Sequence, residues 1–270
     1  MGDKPVALIT GAAGGIGSAT ALEFARRGYD LALTDLNPLD DVTRGCETSG
    51  ARVFALAGDL ADLAFCERLV NESAASLDHI DVLVNNAAWR DLTTMREITP
   101  DAWDKTLRVC LTAPAFLARW AATYMEKRRR GVIINVSSIM AGLSWGLGPA
   151  YVAAKGGLDA LTRDLAALYG PSGIRVLSIS PGAIDTSLTV TKADDSTAAK
   201  VRDWSEQMIP LGRWGQPAEI ARAIAMLAGD DASYLSGASI VVDGGWSHQM
   251  YPYELKRALR PDQFPSKDVT

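Results

Sequence analysis

Tyr151 and Lys155 are the two residues in this sequence whose types and spacing most directly predict chemistry. Residues four apart on a helix share one face, so the lysine ammonium would lie beside the tyrosine phenol. A fixed cation favours the phenolate form, which lets a tyrosine act as an acid or base near neutral pH. Ser138 comes thirteen residues before the tyrosine, where a β-branched run ends. The pattern predicts a site that transfers a proton.

A glycine-rich loop at residues 10–17 follows the first strand-like run and opens the first predicted helix. Glycine is needed in such a loop because a tight turn uses positive φ, and because a pyrophosphate approaches backbone N–H groups only where no Cβ intervenes. The helix N-terminus adds partial positive charge. A glycine-rich loop alone is weak evidence, but the strand-turn-helix context predicts a dinucleotide site.

Asp35 ends the second predicted strand, 18 residues after Gly17. A carboxylate there can accept hydrogen bonds from both hydroxyls of an adenosine ribose, whereas a 2′-phosphate would meet like charge. Ala12, Ala13 and Leu36 supply no basic partner for a phosphate. The sequence therefore predicts NAD as the cofactor and makes NADP the less favoured alternative.

Two further segments follow predicted strands, Asp59-Leu60 after the third and Asn85-Asn86-Ala87 after the fourth. The carboxyl ends of strands are where doubly wound sheets bind ligands. Asp59 is predicted to contact adenine, with a simple helix N-cap as the alternative. The amide side chains would tie neighbouring loops together or line the cofactor groove.

Short aliphatic runs alternate with longer segments at helical spacing, the pattern of βα units around a parallel sheet. Strands are predicted at residues 6–9, 30–34, 52–57, 82–85, 132–137, 175–180 and 239–242. Helices are predicted at residues 17–27, 63–75, 100–127, 150–169 and 217–228, with a weaker candidate at 38–49. The expected fold class is α/β, a Rossmann-type, doubly wound, seven-stranded parallel sheet with helices on both faces.

The expected organisation is one domain over residues 1–246 and a tail over 247–270. Residues 185–214 are polar and contain Pro210 and Gly212, which predicts a substrate lid or loop insertion with one or two short helices. The tail has three prolines and no assignable regular structure. Its aromatic residues either reach a neighbouring subunit's pocket or belong to a disordered end.

Charge and composition exclude several classes of protein. The net charge of −5 argues against a nucleic-acid surface, and no apolar run is long enough to span a membrane. Three cysteines and two histidines lack the spacing of metal ligands, so no metal is expected. With no secretory signal at the N-terminus, the expected location is the cytoplasm.

With these motifs in place, the sequence resembles the short-chain dehydrogenase/reductase family in its single-domain form. The resemblance covers residues 6–246 and rests on several motifs in order: the loop at 10–17, Asp35, Asp59-Leu60, Asn85-Asn86-Ala87, Ser138, Tyr151, Lys155, the segment 181–186, and Gly237 with Val242-Asp243-Gly244-Gly245. The resemblance implies an enzyme that interconverts a secondary alcohol and a ketone by hydride transfer.

It also implies residue roles. Tyr151 would pass the proton, Ser138 would hold the substrate oxygen, and Lys155 would assist the tyrosine and contact the nicotinamide ribose. Ile184 and Thr186 would contact the carboxamide, and Asn86 with Ala87 would border the adenosine half. The predicted cofactor residues are Gly11, Ala13, Gly14, Gly15, Ile16, Gly17, Asp35, Asp59, Leu60, Asn86, Ala87, Tyr151, Lys155, Pro181, Gly182, Ile184 and Thr186.

One departure concerns Cys110. Family members usually carry an asparagine seven residues after a tryptophan, where it organises a water relay behind the lysine, and counting from Trp103 reaches Cys110. A thiol is a weak hydrogen bonder and does not replace a carboxamide. The expectation is a slower or differently routed proton transfer in an active enzyme.

The predicted substrate is a sugar, polyol or sugar acid, bound by Arg90, Ser138, Trp145 and Tyr151. Arg90 would pair with a substrate carboxylate, or else make only structural contacts. The alternatives are a 3-oxoacyl thioester reductase using NADPH and a catalytically silent dinucleotide sensor or scaffold. Small residues on the predicted helix 150–169, together with family habit, predict a homotetramer.

Overall fold

The computed structural model describes residues 4–186 and 195–265. In this part of the chain, seven parallel strands form one sheet in the order β3-β2-β1-β4-β5-β6-β7. The strands are β1 Val6–Thr10, β2 Asp30–Thr34, β3 Val53–Ala55, β4 Val82–Asn85, β5 Gly131–Val136, β6 Ile174–Pro181 and β7 Ser239–Val242. The predicted fold class is confirmed.

The strand order reverses between β1 and β4, because β1 pairs in parallel with β2 on one side and with β4 on the other. In β1, alternate side chains point to opposite faces of the sheet, as the period of two requires. Ala7 and Ile9 belong to the apolar core on one face, and Val6 and Leu8 to the core on the other. Because both faces are covered, the central strands are continuous apolar runs rather than alternating ones.

Helices cover both faces of the sheet. Their bounds are α1 Gly15–Arg26, α2 Asp40–Thr48, α3 Leu63–Leu77, α4 Pro100–Leu107, α5 Ala113–Arg128, α6 Pro149–Tyr169, α7 Asp195–Met208, α8 Pro217–Ala228 and α9 Tyr253–Leu259. Residues of α1, α2 and α8 pack into one core. Residues of α3, α5 and α6 pack into the other.

The predicted helix at residues 100–127 is interrupted in the structure. One π-helical turn, Arg108–Thr112, separates α4 from α5. Pro114 explains the break, because proline has no N–H to give to the carbonyl of Cys110 and its ring clashes with a carbonyl four residues earlier. The wider turn relieves that clash and lies next to α6, the helix that carries Tyr151 and Lys155.

The segment 185–214 contains the 14-residue helix α7, longer than the short helices expected, and residues 187–194 lie outside the described part of the chain. The tail also contains a helix, α9, which the sequence analysis did not assign. Side-chain contacts hold it in place: Gln249 Nε2 donates to the carbonyl of Gln207 over 2.9 Å, and Lys256 Nζ donates to Gln249 Oε1 over 2.9 Å. The boundary between domain and tail stays a prediction.

Candidate active site

A cleft of about 410 Å³ lies where the strand order reverses, at the carboxyl ends of the strands. Most of the predicted site residues line it. They are Gly11, Gly14, Gly15, Ile16, Asp35, Asp59, Leu60, Asn86, Ala87, Arg90, Ser138, Tyr151, Lys155, Pro181, Gly182, Ile184 and Thr186. The fold therefore brings together residues from all parts of the sequence between Gly11 and Thr186.

The glycine-rich loop has the geometry that a dinucleotide needs. Gly11 has φ +67° and a Cβ there would lie 2.8 Å from both the Ala87 backbone and Asn86 Nδ2. A Cβ on Gly17 would lie 1.9 Å from the carbonyl oxygen of Gly11. Gly14 differs, since a Cβ there would meet nothing within 4 Å, so its backbone is open on that side. This open cradle at the start of α1 fits a pyrophosphate.

Two neighbouring asparagines fix the strand ends around this loop. Asn86 Nδ2 donates to the carbonyls of Thr10 and Gly11, over 2.9 and 3.0 Å, which ties β4 to the glycine loop. Asn85 is buried and its Nδ2 donates to Asn135 Oδ1 on β5 over 2.9 Å. Asn135 Nδ2 in turn donates to Thr162 Oγ1 on α6 over 2.9 Å. The amides therefore position the loop and the catalytic helix relative to the sheet.

The carboxylate of Asp35 lies at the edge of the same cleft, at the end of β2. Its Oδ2 accepts a hydrogen bond from Ala13 N over 3.0 Å, and its Oδ1 accepts from Asn37 N and Asn37 Nδ2 over 2.9 and 3.0 Å. Asp59 lines the cleft too, and its Oδ1 accepts from Ala61 N over 2.8 Å. The alternative that Asp59 is a helix N-cap is wrong, because the N-cap of α3 is Asp62, whose Oδ1 accepts from Ala64 N. The adenine contact of Asp59 stays a prediction.

The catalytic candidates Tyr151 and Lys155 are buried on α6, and Ser138 is partly buried after β5. Lys155 Nζ donates to the Val136 carbonyl over 2.6 Å and lies 5.4 Å from the centroid of the Tyr151 ring. Ser138 Oγ accepts from Met140 N over 3.2 Å, which leaves its O–H for a substrate oxygen. The strand end thus orients the lysine ammonium, and all three polar groups border one space.

Cys110 lies directly behind this set, in the π turn, and is fully buried. Its Sγ donates to the Trp89 carbonyl over 3.2 Å. Burial raises the pKa of the Cys110 thiol, while the nearby Lys155 ammonium acts in the opposite direction. Cys110 packs in one apolar cluster with Tyr151 and Ala154.

Near Tyr151 the cleft is also lined by Arg90, whose Cζ lies 5.8 Å from the centroid of the Tyr151 ring. Trp145, a predicted substrate residue, does not line the cleft, and its side chain is 50% exposed. Ala13 and Gly17 do not line it either. They act through the backbone, Ala13 as a donor to Asp35 and Gly17 by allowing the loop to close.

Several residues of the cleft were not predicted as site residues: Leu36, Asn37, Gly58, Ala88, Trp89, Lys105, Val109, Val136 and Ser137. Most of them are direct sequence neighbours of predicted residues at the same strand ends, so they could have been predicted from the sequence. Lys105 and Val109 differ, because they come from α4 and the π turn. Lys105 Nζ lies 4.9 Å from the Trp89 ring centroid, a contact between distant residues that local patterns do not show.

Comparison with known proteins decides the family. A family model described as enoyl-(acyl carrier protein) reductase matches residues 11–247, and close relatives and solved structures are short-chain dehydrogenases. This chain belongs to the short-chain dehydrogenase/reductase family. It is therefore an oxidoreductase that acts on CH–OH groups of small molecules with a nicotinamide dinucleotide.

Two relatives show how far the similarity extends. The chain is 37% identical over 244 residues to cis-4-hydroxycyclohexanecarboxylate dehydrogenase of Sinomonas cyclohexanicum, covering 90% of this chain and 96% of that protein. It is 35% identical over 246 residues to meso-2,3-butanediol dehydrogenase of Serratia marcescens, covering 90% and 94%. Both similarities span the sheet and the cleft.

Solved structures of other family members agree with the fold. Levodione reductase superposes with a TM-score of 0.87 at 30% identity, over 92% of this chain and 98% of that one. A structure provisionally described as a 2-deoxy-D-gluconate 3-dehydrogenase of Agrobacterium tumefaciens, with bound NADP, has a TM-score of 0.82 at 30% identity, over 91% and 97%. The family therefore supplies the dinucleotide site without deciding between NAD and NADP.

Residues 4–186 and 195–265 contain neither a candidate membrane span nor a candidate metal-binding group. No helix there is both long and apolar enough to cross a membrane. Across the same residues, no group of three or more histidine, cysteine or acidic side chains is arranged to hold a metal ion.

Proposed function

We propose that this chain is an NAD-dependent dehydrogenase that oxidises a secondary alcohol of a sugar, polyol or sugar acid to the ketone. The observation that carries the proposal is the convergence of Tyr151, Lys155 and Ser138 in the same cleft as Asp35. Tyr151, Lys155 and Ser138 form the proton-transfer set, and Asp35 selects the dinucleotide.

The proton-transfer step follows from the positions of the side chains. Ser138 donates its O–H to the substrate oxygen and fixes it near Tyr151. As the phenolate, Tyr151 accepts the alcohol proton during oxidation, and as the phenol it returns a proton to the substrate oxygen during reduction. The Lys155 ammonium, held by the Val136 carbonyl, places a positive charge beside the Tyr151 ring during both oxidation and reduction. A bound nicotinamide dinucleotide supplies the hydride acceptor or donor.

The preference for NAD is supported by charge at the adenosine end of the cleft. Asp35 is an anion there, and its cleft-lining neighbours Leu36 and Asn37 are uncharged. A 2′-phosphate would be placed against the Asp35 carboxylate without a cation from either neighbour. NAD, which carries a hydroxyl at that position, donates a hydrogen bond instead.

The substrate class is supported by Arg90 and by the relatives. A guanidinium near the Tyr151 ring can bind a substrate carboxylate through paired hydrogen bonds. The named substrates of the two relatives above are a hydroxylated ring acid and a small diol, both of them compact secondary alcohols. An acid or polyol of similar size would bind in the part of the cleft that Arg90, Ser138 and Tyr151 line.

The second candidate is reduction of a 3-oxoacyl thioester with NADPH. The description of the matching family model supports only the acyl-thioester class, because an enoyl reductase reduces a C=C bond rather than a ketone. Absorbance at 340 nm tests both candidate reactions. Oxidation is assayed with NAD or NADP and polyols, sugar acids or hydroxycyclohexanecarboxylates. Reduction is assayed with NADPH and 3-oxoacyl thioesters. We expect turnover of a polyol or hydroxy acid with NAD. Turnover only of the thioester with NADPH would refute the proposal, and NADH binding without any turnover would indicate a silent sensor.

We further propose that residues 1–246 form one catalytic domain and that four chains assemble into a homotetramer, located in the cytoplasm. The assembly is supported by the small residues on α6 that leave room for a second helix, among them Ala160 and Ala167. Light scattering on the purified protein would give a mass about four times 28.8 kDa if the assembly is correct, and a monomer mass would exclude it.

A further inference from the structure

Two short segments pair with each other at one wall of the cleft. Ile184 and Gly215 form an isolated parallel bridge. Asp185 N donates to the Gly215 carbonyl over 2.9 Å, and Gly215 N donates to the Ala183 carbonyl over 3.0 Å. Position 215 needs glycine, because a Cβ there would lie 2.7 Å from Ile184 Cδ1. Since Ile184 is buried and lines the cleft, the bridge sets the position of a cleft-lining side chain.

This wall belongs to the half of the cleft where the chemistry takes place. Its first segment follows β6, next to β5, the strand that precedes Ser138, whereas Asp35 follows β2 on the other side of β1. Thr186, at the end of the segment, reaches the glycine loop, since a Cβ on Gly15 would lie 3.2 Å from Thr186 Cγ2. Hydride transfer requires the nicotinamide to contact the substrate, so the nicotinamide lies in this half.

Arg202 of α7 contacts both segments of the bridge. Its Cζ lies 4.7 Å from the centroid of the Trp214 ring, and its Nη2 lies 3.4 Å from Asp185 Oδ2. Trp214 directly precedes Gly215, and Asp185 directly follows Ile184. In the described part of the chain, the lining of the cleft does not include Arg202. Its guanidinium therefore joins the two segments from behind the wall.

Two hydrogen bonds fix this contact to α7. Arg202 Nε donates to Glu206 Oε1 over 3.1 Å, one helical turn further along. Trp214 Nε1 donates to Ser205 Oγ over 2.6 Å, and both side chains are buried, so water does not compete for this bond. Arginine suits the position because a planar guanidinium stacks on an indole ring and pairs with a carboxylate at the same time.

We propose that Arg202 is a positioning residue for the nicotinamide half of the cofactor site. By joining Asp185 to Trp214, the guanidinium keeps the bridge between their two segments in place at the cleft. This inference rests on the proposed placement of the dinucleotide along the cleft and is independent of the choice between NAD and NADP. A ligand without the nicotinamide does not contact the wall. Arg202 should therefore matter for NADH and not for ADP-ribose.

Binding titrations with NADH and ADP-ribose test this role without knowledge of the substrate. In Arg202→Gln we expect NADH to bind about three- to tenfold more weakly, the combined effect of a half-exposed ion pair and a cation–π contact. The affinity for ADP-ribose should stay within about twofold of wild type. Arg202→Lys keeps a cation near Asp185 without the planar group and should recover part of the loss. Asp185→Asn should weaken NADH binding selectively as well, but by less, because the contact with Trp214 remains.

Lys200→Gln is the matched control, since Lys200 is an exposed cation on the same helix. It should leave both affinities within about twofold of wild type. Equal weakening of NADH and ADP-ribose in Arg202→Gln would overturn the proposal, and so would a lower Tm with unchanged NADH affinity, since Arg202 would then only stabilise α7. Tighter binding of NADPH than NADH by wild type would refute the proposed cofactor alone. NADPH and 2′-phospho-ADP-ribose would then form the test pair.

Discussion

The thiol of Cys110 and the carbonyl of Trp89 are joined by a hydrogen bond of 3.2 Å between Sγ and oxygen. The contact connects the π turn to the wall of the cleft. Cys110 also packs against Tyr151 in one cluster, so the thiol lies between the catalytic helix and a residue that lines the substrate space. The turn exists because Pro114 ends regular helical bonding at this point. Cys110 therefore positions the cleft without lining it.

Cys110→Ala should lower kcat/KM for the alcohol about three- to tenfold, because it removes the donor and leaves the Trp89 carbonyl without this partner. Cys110→Ser restores a donor of similar size and should recover most of the rate. Cys110→Asn, which installs the usual residue of the family, should change the rate or the pH profile of kcat. The measurement is steady-state kinetics across pH 6–10. Unchanged rates and profiles in the Ala and Asn variants would show that the position has no role in the reaction.

Gly17→Ala should destabilise the fold by about 2 kcal/mol and weaken dinucleotide binding, because the new Cβ would lie 1.9 Å from the Gly11 carbonyl oxygen. Gly14→Ala is the control. Its Cβ meets nothing within 4 Å and its φ of −161° suits any residue, so stability should change by less than about 0.5 kcal/mol. Denaturant unfolding and NADH titration measure the two effects separately. Equal stability in both variants would contradict the loop-closure argument.

The ion pair between Glu219 and Arg213 should make stability depend on pH in acid. The hydrogen bond from Arg213, together with the one from Gln216 N, lowers the pKa of Glu219 to about 2 from 4.5. Because the pKa of Glu219 is lower in the folded than in the unfolded chain, its carboxylate stabilises the folded state at pH values above about 4.5. This contribution is lost as pH falls from about 4.5 toward 2. The pair holds the start of α8, next to the Ile184–Gly215 bridge at the cleft.

Thermal unfolding of wild type and Glu219→Gln measures this effect. Wild type should have a higher Tm than Glu219→Gln at pH 6, and the difference in Tm between the two proteins should shrink steadily as pH falls below about 4.5. A difference that is constant from pH 6 to pH 3 would mean that the ionised carboxylate contributes nothing.

All three thiols should be unreactive in the native protein. Cys46, Cys66 and Cys110 are fully buried, and burial raises the pKa of Cys46 to about 11 and of Cys66 to about 12. A thiol needs both exposure and thiolate character to react. A coloured disulfide reagent at pH 8 should therefore label none of them before denaturation and all three afterwards. Rapid labelling of one thiol in the native state would show that its segment opens.

The sheet and the position of the site were predictable from sequence because both depend on strong local signals. The buried strands are continuous apolar runs, and the glycine loop and the Tyr151–Lys155 pair have fixed spacings along the chain. Strand β3 was predicted over residues 52–57 but spans Val53–Ala55, although Arg52 and Leu56 each still make one backbone hydrogen bond with β2. Such boundaries depend on hydrogen bonding with a neighbour, which apolar patterns do not encode.

The features that were missed depend on contacts between distant residues. The π turn follows from one proline within an otherwise helical pattern, and apolar spacing alone does not reveal it. Helix α9 forms in a proline-containing tail because it packs near α7, where Trp204 and Trp246 lie with ring centroids 6.3 Å apart. The hydrogen bond from Ala13 N to Asp35 Oδ2 likewise could not be predicted from local patterns, because the two residues are 22 apart in sequence.

A comparison of wild type with Tyr151→Phe tests most directly whether Tyr151 transfers the proton in an NAD-dependent alcohol oxidation. Wild type and Tyr151→Phe are assayed at 340 nm with NAD and the best alcohol from the panel, and NADH affinity is measured for both. We expect kcat to fall at least a hundredfold while NADH binding stays within about threefold, since only the proton-carrying oxygen is removed. A Tyr151→Phe variant that oxidises the alcohol at close to the wild-type rate would contradict it.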